Sequence, residues 1–108
     1  MRKTSTQALL TNATTTGAGN SFEPWGDTRT YGATGVCDDS GTAVISIEVR
    51  NDSNAAWILM GTITITLSPT ASGDGFSSIV PWKYVRARIT SLSGTNATIS
   101  VFMGNLPA

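Results

Sequence analysis

The residue types that most often carry out catalysis are scarce in this chain. It contains no histidine, so general acid–base chemistry near neutral pH lacks its usual side chain. Its single cysteine, Cys37, precedes Asp38 and Asp39, and neighbouring carboxylates disfavour the thiolate that a nucleophile requires. We therefore expect no hydrolase or transferase activity and no enzymatic role.

Three short loops carry oxygen-bearing side chains that are also typical of calcium sites. The loops are DDSG (38–41), NDSN (51–54) and SGDG (72–75). None has the spacing of a known calcium-binding loop, and Asp, Asn, Ser and Gly are the residues that turns require. Zinc sites need clusters of Cys and His, which the sequence lacks. The sequence therefore predicts turns at these positions, with no metal ion and no cofactor.

The most distinctive stretch is PWKYVRARIT (81–90), which combines aromatic and basic residues in the pattern of a strand. Side chains alternate between the two faces of a strand, so Val85, Ala87 and Ile89 are predicted to face the core. The residues predicted to share the opposite face are Trp82, Tyr84, Arg86 and Arg88.

Four roles fit this second face, and the residues alone leave them open. The rings can pack under a loop while the arginines pair with nearby acids, or they can stack on the bases of single-stranded nucleic acid. They can also pack on the rings of sugars, or form a protein contact, because Trp, Tyr and Arg dominate such interfaces. The near-zero net charge argues against nucleic acid. Among the functional roles we favour a contact between copies of the chain, with arginines paired to carboxylates such as Glu48 or Asp74 across the boundary.

The composition describes a weakly charged protein. Charged residues make up 13% of the 108 residues, and the seven basic and seven acidic side chains cancel. Such a surface gives little long-range attraction to nucleic acid or anionic membranes and little protection against self-association. No secretory signal is recognisable near the start, and no segment reaches the roughly 18 apolar residues of a membrane span. We expect a soluble protein made in the cytoplasm, without an internal disulfide.

Strand signals recur from residue 28 onwards, with turn residues between them. The predicted strands are 28–36, 42–50, 57–67, 76–80, 81–90 and 97–104, and the longest predicted loop is 68–75. Gly61 predicts a bulge or a break inside the third of these strands. In the second strand, Ser46, Glu48 and Arg50 are predicted to point outward. The alternating residues predicted to form the core are Ile45, Ile47, Val49, Ile63, Ile65, Leu67, Val85, Ala87, Ile89, Ile99 and Val101. This pattern predicts an all-β protein with an antiparallel β-sandwich or jelly-roll fold.

The first 27 residues are less regular than the rest. They contain the low-complexity run TNATTTGAGN and one short apolar cluster, ALL (8–10). We expect residues 1–27 to form an extended N-terminal arm, in which Leu9 and Leu10 are free to contact a partner, followed by a β-sandwich domain at 28–108. The end of the arm, SFEPWGD (21–27), predicts a turn held in place by its two aromatic rings.

Two long segments of the chain have a recognisable order of motifs. They are AVISIEVRNDSNAAWILMGTITITL and GDGFSSIVPWKYVRARITSLSGTNATISVFMG, with a fainter signal in ALLTNATTTGAGN. Together they resemble a small β-domain that recurs among structural proteins of tailed bacteriophage virions. The chain departs from that pattern in the loop NDSNAAW, which lacks the glycine expected before the tryptophan.

The resemblance implies a non-enzymatic virion component, and we expect a capsid decoration (cement) protein that binds and stabilises the head shell. Its partners would be the major capsid protein and other copies of itself, as a homo-oligomer with a trimer favoured, and neither nucleic acid nor a membrane. Its location would be the capsid surface of the virion. The alternatives are a tail-associated structural protein, or a carbohydrate-binding module for host attachment that exposes Trp57, Trp82 and Tyr84.

Overall fold

The computed structural model describes residues 5–23, 28–78 and 82–106, which form eight strands and their connections. The strands are β1 (Ser5–Ala13), β2 (Gly17–Ala18), β3 (Thr28–Val36), β4 (Gly41–Arg50), β5 (Ile58–Leu67), β6 (Ser72–Ser78), β7 (Tyr84–Leu92) and β8 (Thr98–Leu106). No helix occurs in these ranges, and a search of them found no helix that could cross a membrane. The predicted all-β class is confirmed.

The strands pair as one long hairpin that has been rolled up. The hairpin pairs are β1 with β8, β2 with β7, β3 with β6 and β4 with β5, all antiparallel. Two further antiparallel pairs, β3 with β8 and β4 with β7, join the hairpin pairs into sheets. Sheet A has the order β1-β8-β3-β6 and sheet B the order β2-β7-β4-β5. This nested pairing is a jelly roll, as the sequence predicted.

The core lies between the two sheets and follows from the alternation of side chains along the strands. Every residue predicted to be in the core is at most 3% exposed, including Ile45, Ile65 and Val101. Sheet A also contributes Leu9, Tyr31 and Met103, which are equally buried. The molecule is 17 Å across in its thinnest dimension, as expected of two packed sheets about 10 Å apart with side chains on their outer faces.

A bulge interrupts the pairing of β5 with β4. Ile47 lies opposite Gly61 and Glu48 lies opposite Leu59, so Met60 is the extra residue. A side chain at Gly61 would meet the ring of Phe76 at 2.5 Å. Glycine is therefore required where β6 crosses close to β5, and the sequence correctly placed an irregularity at this position.

The N-terminal segment is part of the sandwich rather than a free arm over the residues described. β1 pairs along its length with β8 in sheet A, Leu9 is 3% exposed in the core, and Leu10 packs against the core. The expectation that these two leucines are free to reach a partner is therefore wrong. The reason it failed is that the register of β1 shifts twice, between Ala8 and Leu10 and between Leu10 and Ala13, which breaks the alternation that marks a strand.

The starts of two strands also differ from those predicted. β6 begins at Ser72, inside the predicted loop 68–75, and β7 begins at Tyr84 rather than at residue 81. Trp82 precedes β7 and packs against the core. In the turn predicted at 21–27, Phe22 forms a bridge with Val85 and packs on the core, whereas Pro24 to Asp27 lie outside the described residues. Ile79 and Val80, the end of another predicted strand, also lie outside them.

Candidate interaction face on sheet B

The outer face of sheet B gathers charged and aromatic side chains at its centre. β4 and β7 are neighbours there, and their register places Glu48 opposite Arg86, Ser46 opposite Arg88 and Arg50 opposite Tyr84. The residues between them, such as Ile47 and Ala87, fill the core, so alternation turns the charged positions outward. We call the following set the sheet B face: Glu48, Arg50, Trp57, Tyr84, Arg86 and Arg88.

Glu48 binds both arginines of β7. Its Oε1 accepts hydrogen bonds from Arg86 Nε at 2.7 Å and from Arg88 Nε at 3.3 Å. The side chains of Glu48 and Arg86 are only 17% and 18% exposed, whereas Arg88 is 40% exposed. Limited solvent exposure weakens screening, so the Glu48–Arg86 pair holds its geometry better than a surface ion pair.

This pairing corrects the prediction that Glu48 bonds to an arginine of another molecule. The carboxylate is already used within its own chain. Asp74, the other carboxylate predicted for that purpose, lies on β6 of sheet A and does not belong to the sheet B face.

The indole of Trp57 supports the other side of the cluster. The Cζ atoms of Arg50 and Arg86 lie 4.1 Å and 4.3 Å from the centre of its rings, within the range of cation–π contacts. Arg50 Nη1 also donates a hydrogen bond to the Ala55 carbonyl at 3.1 Å. The Arg50 guanidinium lies 6.0 Å from the Tyr84 ring, and Lys83 Nζ lies 5.4 Å from it. Arginine positions are therefore fixed by rings and by one carboxylate before any partner binds.

The sheet B face carries a net positive charge. Three guanidinium groups against one carboxylate leave a charge of +2, and the exposed Lys83 beside Tyr84 raises it to +3. Two copies of this face placed against each other would repel. The face is complementary to an acidic surface, which favours an acidic partner over an isologous contact through this face.

The structure brings together only part of the predicted contact set. Tyr84, Arg86 and Arg88 share the sheet B face, as the alternation of β7 predicted. Trp82 lies before the strand and Leu9 and Leu10 belong to sheet A and its core. The alternation of β4 had placed Arg50 outward, but nothing in the sequence indicated that Trp57, at the end of a loop, would pack beside it.

The acidic turn at 37–41 is held by hydrogen bonds to the opposite turn. Asp39 accepts hydrogen bonds from the Thr95 amide and hydroxyl, both at 2.8 Å, and Asp38 accepts one from Asn96 Nδ2 at 2.7 Å. The hydrogen bonds from Thr95 lower the pKa of Asp39 below its ordinary value. Cys37 is buried. Within residues 5–23, 28–78 and 82–106, no three Cys, Asp or Glu side chains form a group that could hold a metal ion.

Comparison with known proteins yields likenesses of structure. No family model and no curated protein matches the sequence. The crystal structure of SPBc2 prophage-derived protein YomS is similar, with a TM-score of 0.65 and 13% identity over 98% of this chain and 95% of that one. A structure described as "CBM4 structure and function" has a TM-score of 0.49 and 14% identity, over 94% of this chain and 66% of that one. The likeness to YomS shows a shared fold along nearly the whole of both chains.

Proposed function

We propose that this protein is a structural component of a bacteriophage virion that decorates the head shell and stabilises it without catalysis. The observation that carries the proposal is the sheet B face, an ordered surface of arginines and rings with a net positive charge. Aromatic and arginine side chains supply most of the binding energy of protein interfaces. Here they are held in place beforehand, which lowers the entropic cost of binding.

Two independent likenesses support a phage origin. The sequence motifs described above resemble those of tailed-phage virion proteins, and the fold is shared with a prophage-derived protein over nearly its whole length. Neither likeness distinguishes the head from the tail. We place the protein on the head shell because a repeating lattice would let many weak electrostatic contacts add up to stable attachment.

The proposed partner is an acidic patch of the major capsid protein. Glu48 is committed within the chain, and the remaining guanidinium capacity of Arg88, which is 40% exposed, is available to a partner carboxylate. Contacts between copies of this protein would then use another surface, because the sheet B face repels its own copy.

The rival role of a sugar-binding module finds little support on this face. Such a module needs ring faces that are open to the sugar. The Trp57 ring already carries two guanidinium groups, and Trp82 packs against the core.

The test is binding of the purified protein to undecorated shells of the phage that encodes it. Arg88→Glu reverses a charge at the most exposed arginine of the pairs, so we expect at least a tenfold loss of affinity. Wild-type binding should also weaken as salt is added. The control is Ala71→Glu, which adds a negative charge at an exposed position after the end of β5, away from the sheet B face.

Equal binding by Arg88→Glu and the wild type would remove the sheet B face from the proposal. A comparable loss in Ala71→Glu, whose net charge falls by one unit rather than two, would show that the position of Arg88 does not matter. Absence of wild-type binding to shells would contradict the decoration role itself.

A further inference from the structure

The outer face of sheet A, on the opposite side of the molecule, contains a shallow groove of about 440 Å³. We call it the sheet A groove. Its size falls within the range of small-molecule sites. The exposed ring of Phe102 lines it, with 39% of its surface accessible. The exposed threonines Thr6, Thr30 and Thr34 also line it, together with the backbone of Asp74.

Gly32 keeps the floor of this groove open, although nothing in the fold requires a glycine there. It lies in β3 between Phe102 of β8 and Gly75 of β6, and the register of β3 with both neighbours is continuous. A side-chain carbon added at Gly32 would meet nothing closer than the Asp74 carbonyl oxygen at 4.0 Å. Glycine weakens a strand. A glycine inside a strand often marks a place where a ligand approaches the backbone closely.

From this geometry we propose that the sheet A groove binds a neutral oligosaccharide of pyranose sugars. The C–H face of a pyranose ring is weakly positive and matches the negative face of an exposed aromatic ring such as Phe102. Threonine hydroxyls both donate and accept hydrogen bonds, as sugar hydroxyls do.

The lining argues against the other ligands that use aromatic rings. Among the residues that the structure describes, no lysine or arginine lines the groove, whereas phosphates, sulfated sugars and nucleic acids require cations. An extended peptide normally adds to the open edge of a sheet, whereas this groove lies across β3 and β8 at the centre of the sheet. A neutral, hydroxyl-rich ligand is the class that the lining favours.

This inference does not depend on attachment to a capsid. The groove and the sheet B face lie on opposite sides of the sandwich. A protein bound to a shell through sheet B would present the groove to the surroundings. A protein that is not bound to a shell would still carry the groove.

The experiment measures binding of four neutral probes by calorimetry and by ligand-observed NMR. The probes are cellohexaose, laminarihexaose, maltohexaose and chitohexaose. We expect the wild type to bind at least one of them. Gly32→Val fills the groove with a residue that strands favour, so we expect at least a tenfold loss of affinity with no loss of thermal stability. Phe102→Ala removes the exposed ring and should cause a similar loss.

The control is Thr64→Val on the outer face of sheet B, which should bind like the wild type. Failure of the wild type to bind any of the four probes would overturn the proposal. Binding that is unchanged in both Gly32→Val and Phe102→Ala would also overturn it, because it would place the sugar elsewhere. Phe102→Ala changes an exposed side chain, so it keeps the test decisive even if Gly32→Val does not fold.

Discussion

In two places of this weakly charged protein, a single carboxylate holds neighbouring segments together by hydrogen bonds. Glu48 joins two arginines of the neighbouring strand and so fixes the sheet B face. At one end of the sandwich, Asp39 joins the turn after β3 to the turn after β7 through Thr95. Because both carboxylates accept hydrogen bonds from specific donors, replacing either one affects a defined contact rather than the general charge balance.

The Asp39 contact predicts how stability changes with acid. Its pKa is lowered in the folded protein by the hydrogen bonds from Thr95, from an ordinary value of 3.8. The unfolded chain therefore takes up a proton more readily, so the contribution of Asp39 is present above that ordinary pKa and is lost as the pH falls below it. Asp39→Asn should reduce the free energy of unfolding at neutral pH, and its difference from the wild type should shrink below about pH 4.

Urea denaturation of both proteins across this pH range provides the measurement. A difference between wild type and Asp39→Asn that stays constant from neutral to acid pH would show that the carboxylate charge is not responsible.

The strands show why the sequence predicted some parts of the fold and not others. β4 alternates strictly and β7 does so from Tyr84 to Ile89, so both their core residues and the outward Arg86 and Arg88 could be predicted. β1 could not be predicted in this way, because its two register shifts break the alternation. The backbone is also irregular at Asn12, which has a φ of 47°. The first part of β6, residues 72–75, was predicted as a loop because it contains two glycines. A side chain at one of them, Gly75, would collide with the carbonyl of Tyr31 on the neighbouring strand.

Alternation along single strands predicted which side chains of β4 and β7 lie on the sheet B face, but it did not predict their contacts with one another. Arg86 and Arg88 follow from the pattern of β7. Their shared bond to Glu48 depends on the register between β4 and β7, which no single strand encodes. The position of Trp57 depends on how the loop after β4 closes, and the sheet A groove depends on all four strands of its sheet. Such contacts between distant segments are set by tertiary packing.

The packing of β5 predicts a clear contrast between two adjacent residues. Ile65 is 3% exposed between the sheets, and Thr64 is exposed on the outer face. Ile65→Ala should lower the free energy of unfolding by about 2–5 kcal/mol, because it removes buried methyl groups and leaves a cavity. Thr64→Ala should change it by less than about 1 kcal/mol. Urea melts of both variants give the comparison, and similar small effects would mean that the register of β5 is wrong.

β5 is also the surface that we expect copies of the protein to share. It lies at the edge of sheet B in the described part of the chain. Its ten residues contain no charge and no proline, the usual protection of an edge strand. Ile58 and Leu59 at its start are 49% and 60% exposed. Thr64→Lys should therefore convert a homo-oligomer to monomers without unfolding it.

Analytical ultracentrifugation of wild type and Thr64→Lys measures this effect. Pairing of β5 with itself in a second copy gives a dimer, whereas a trimer requires β5 to pair with a different edge. An oligomer of unchanged mass in Thr64→Lys, or a monomeric wild type, would rule out association through this edge.

As a whole molecule, the protein is a thin jelly roll with two chemically different faces. Sheet B presents arginines and rings held by Glu48 and Trp57, and sheet A presents a groove lined by hydroxyls and one exposed ring. A thin two-sided plate suits a protein that binds a shell on one side and meets its surroundings on the other. Its low charge and its open edge strand also suit a protein that works in an assembly.

If this protein coats the head of a phage particle, as we propose, each virion should contain it in many copies. Quantitative mass spectrometry of purified virions, with the major capsid protein as the internal reference, provides the measurement. We expect a copy number comparable with that of the capsid protein. We also expect the Arg88→Glu variant to be missing from particles when it replaces the wild type. A handful of copies per virion would indicate a tail component. Absence of the protein from the particle would contradict a role in the virion.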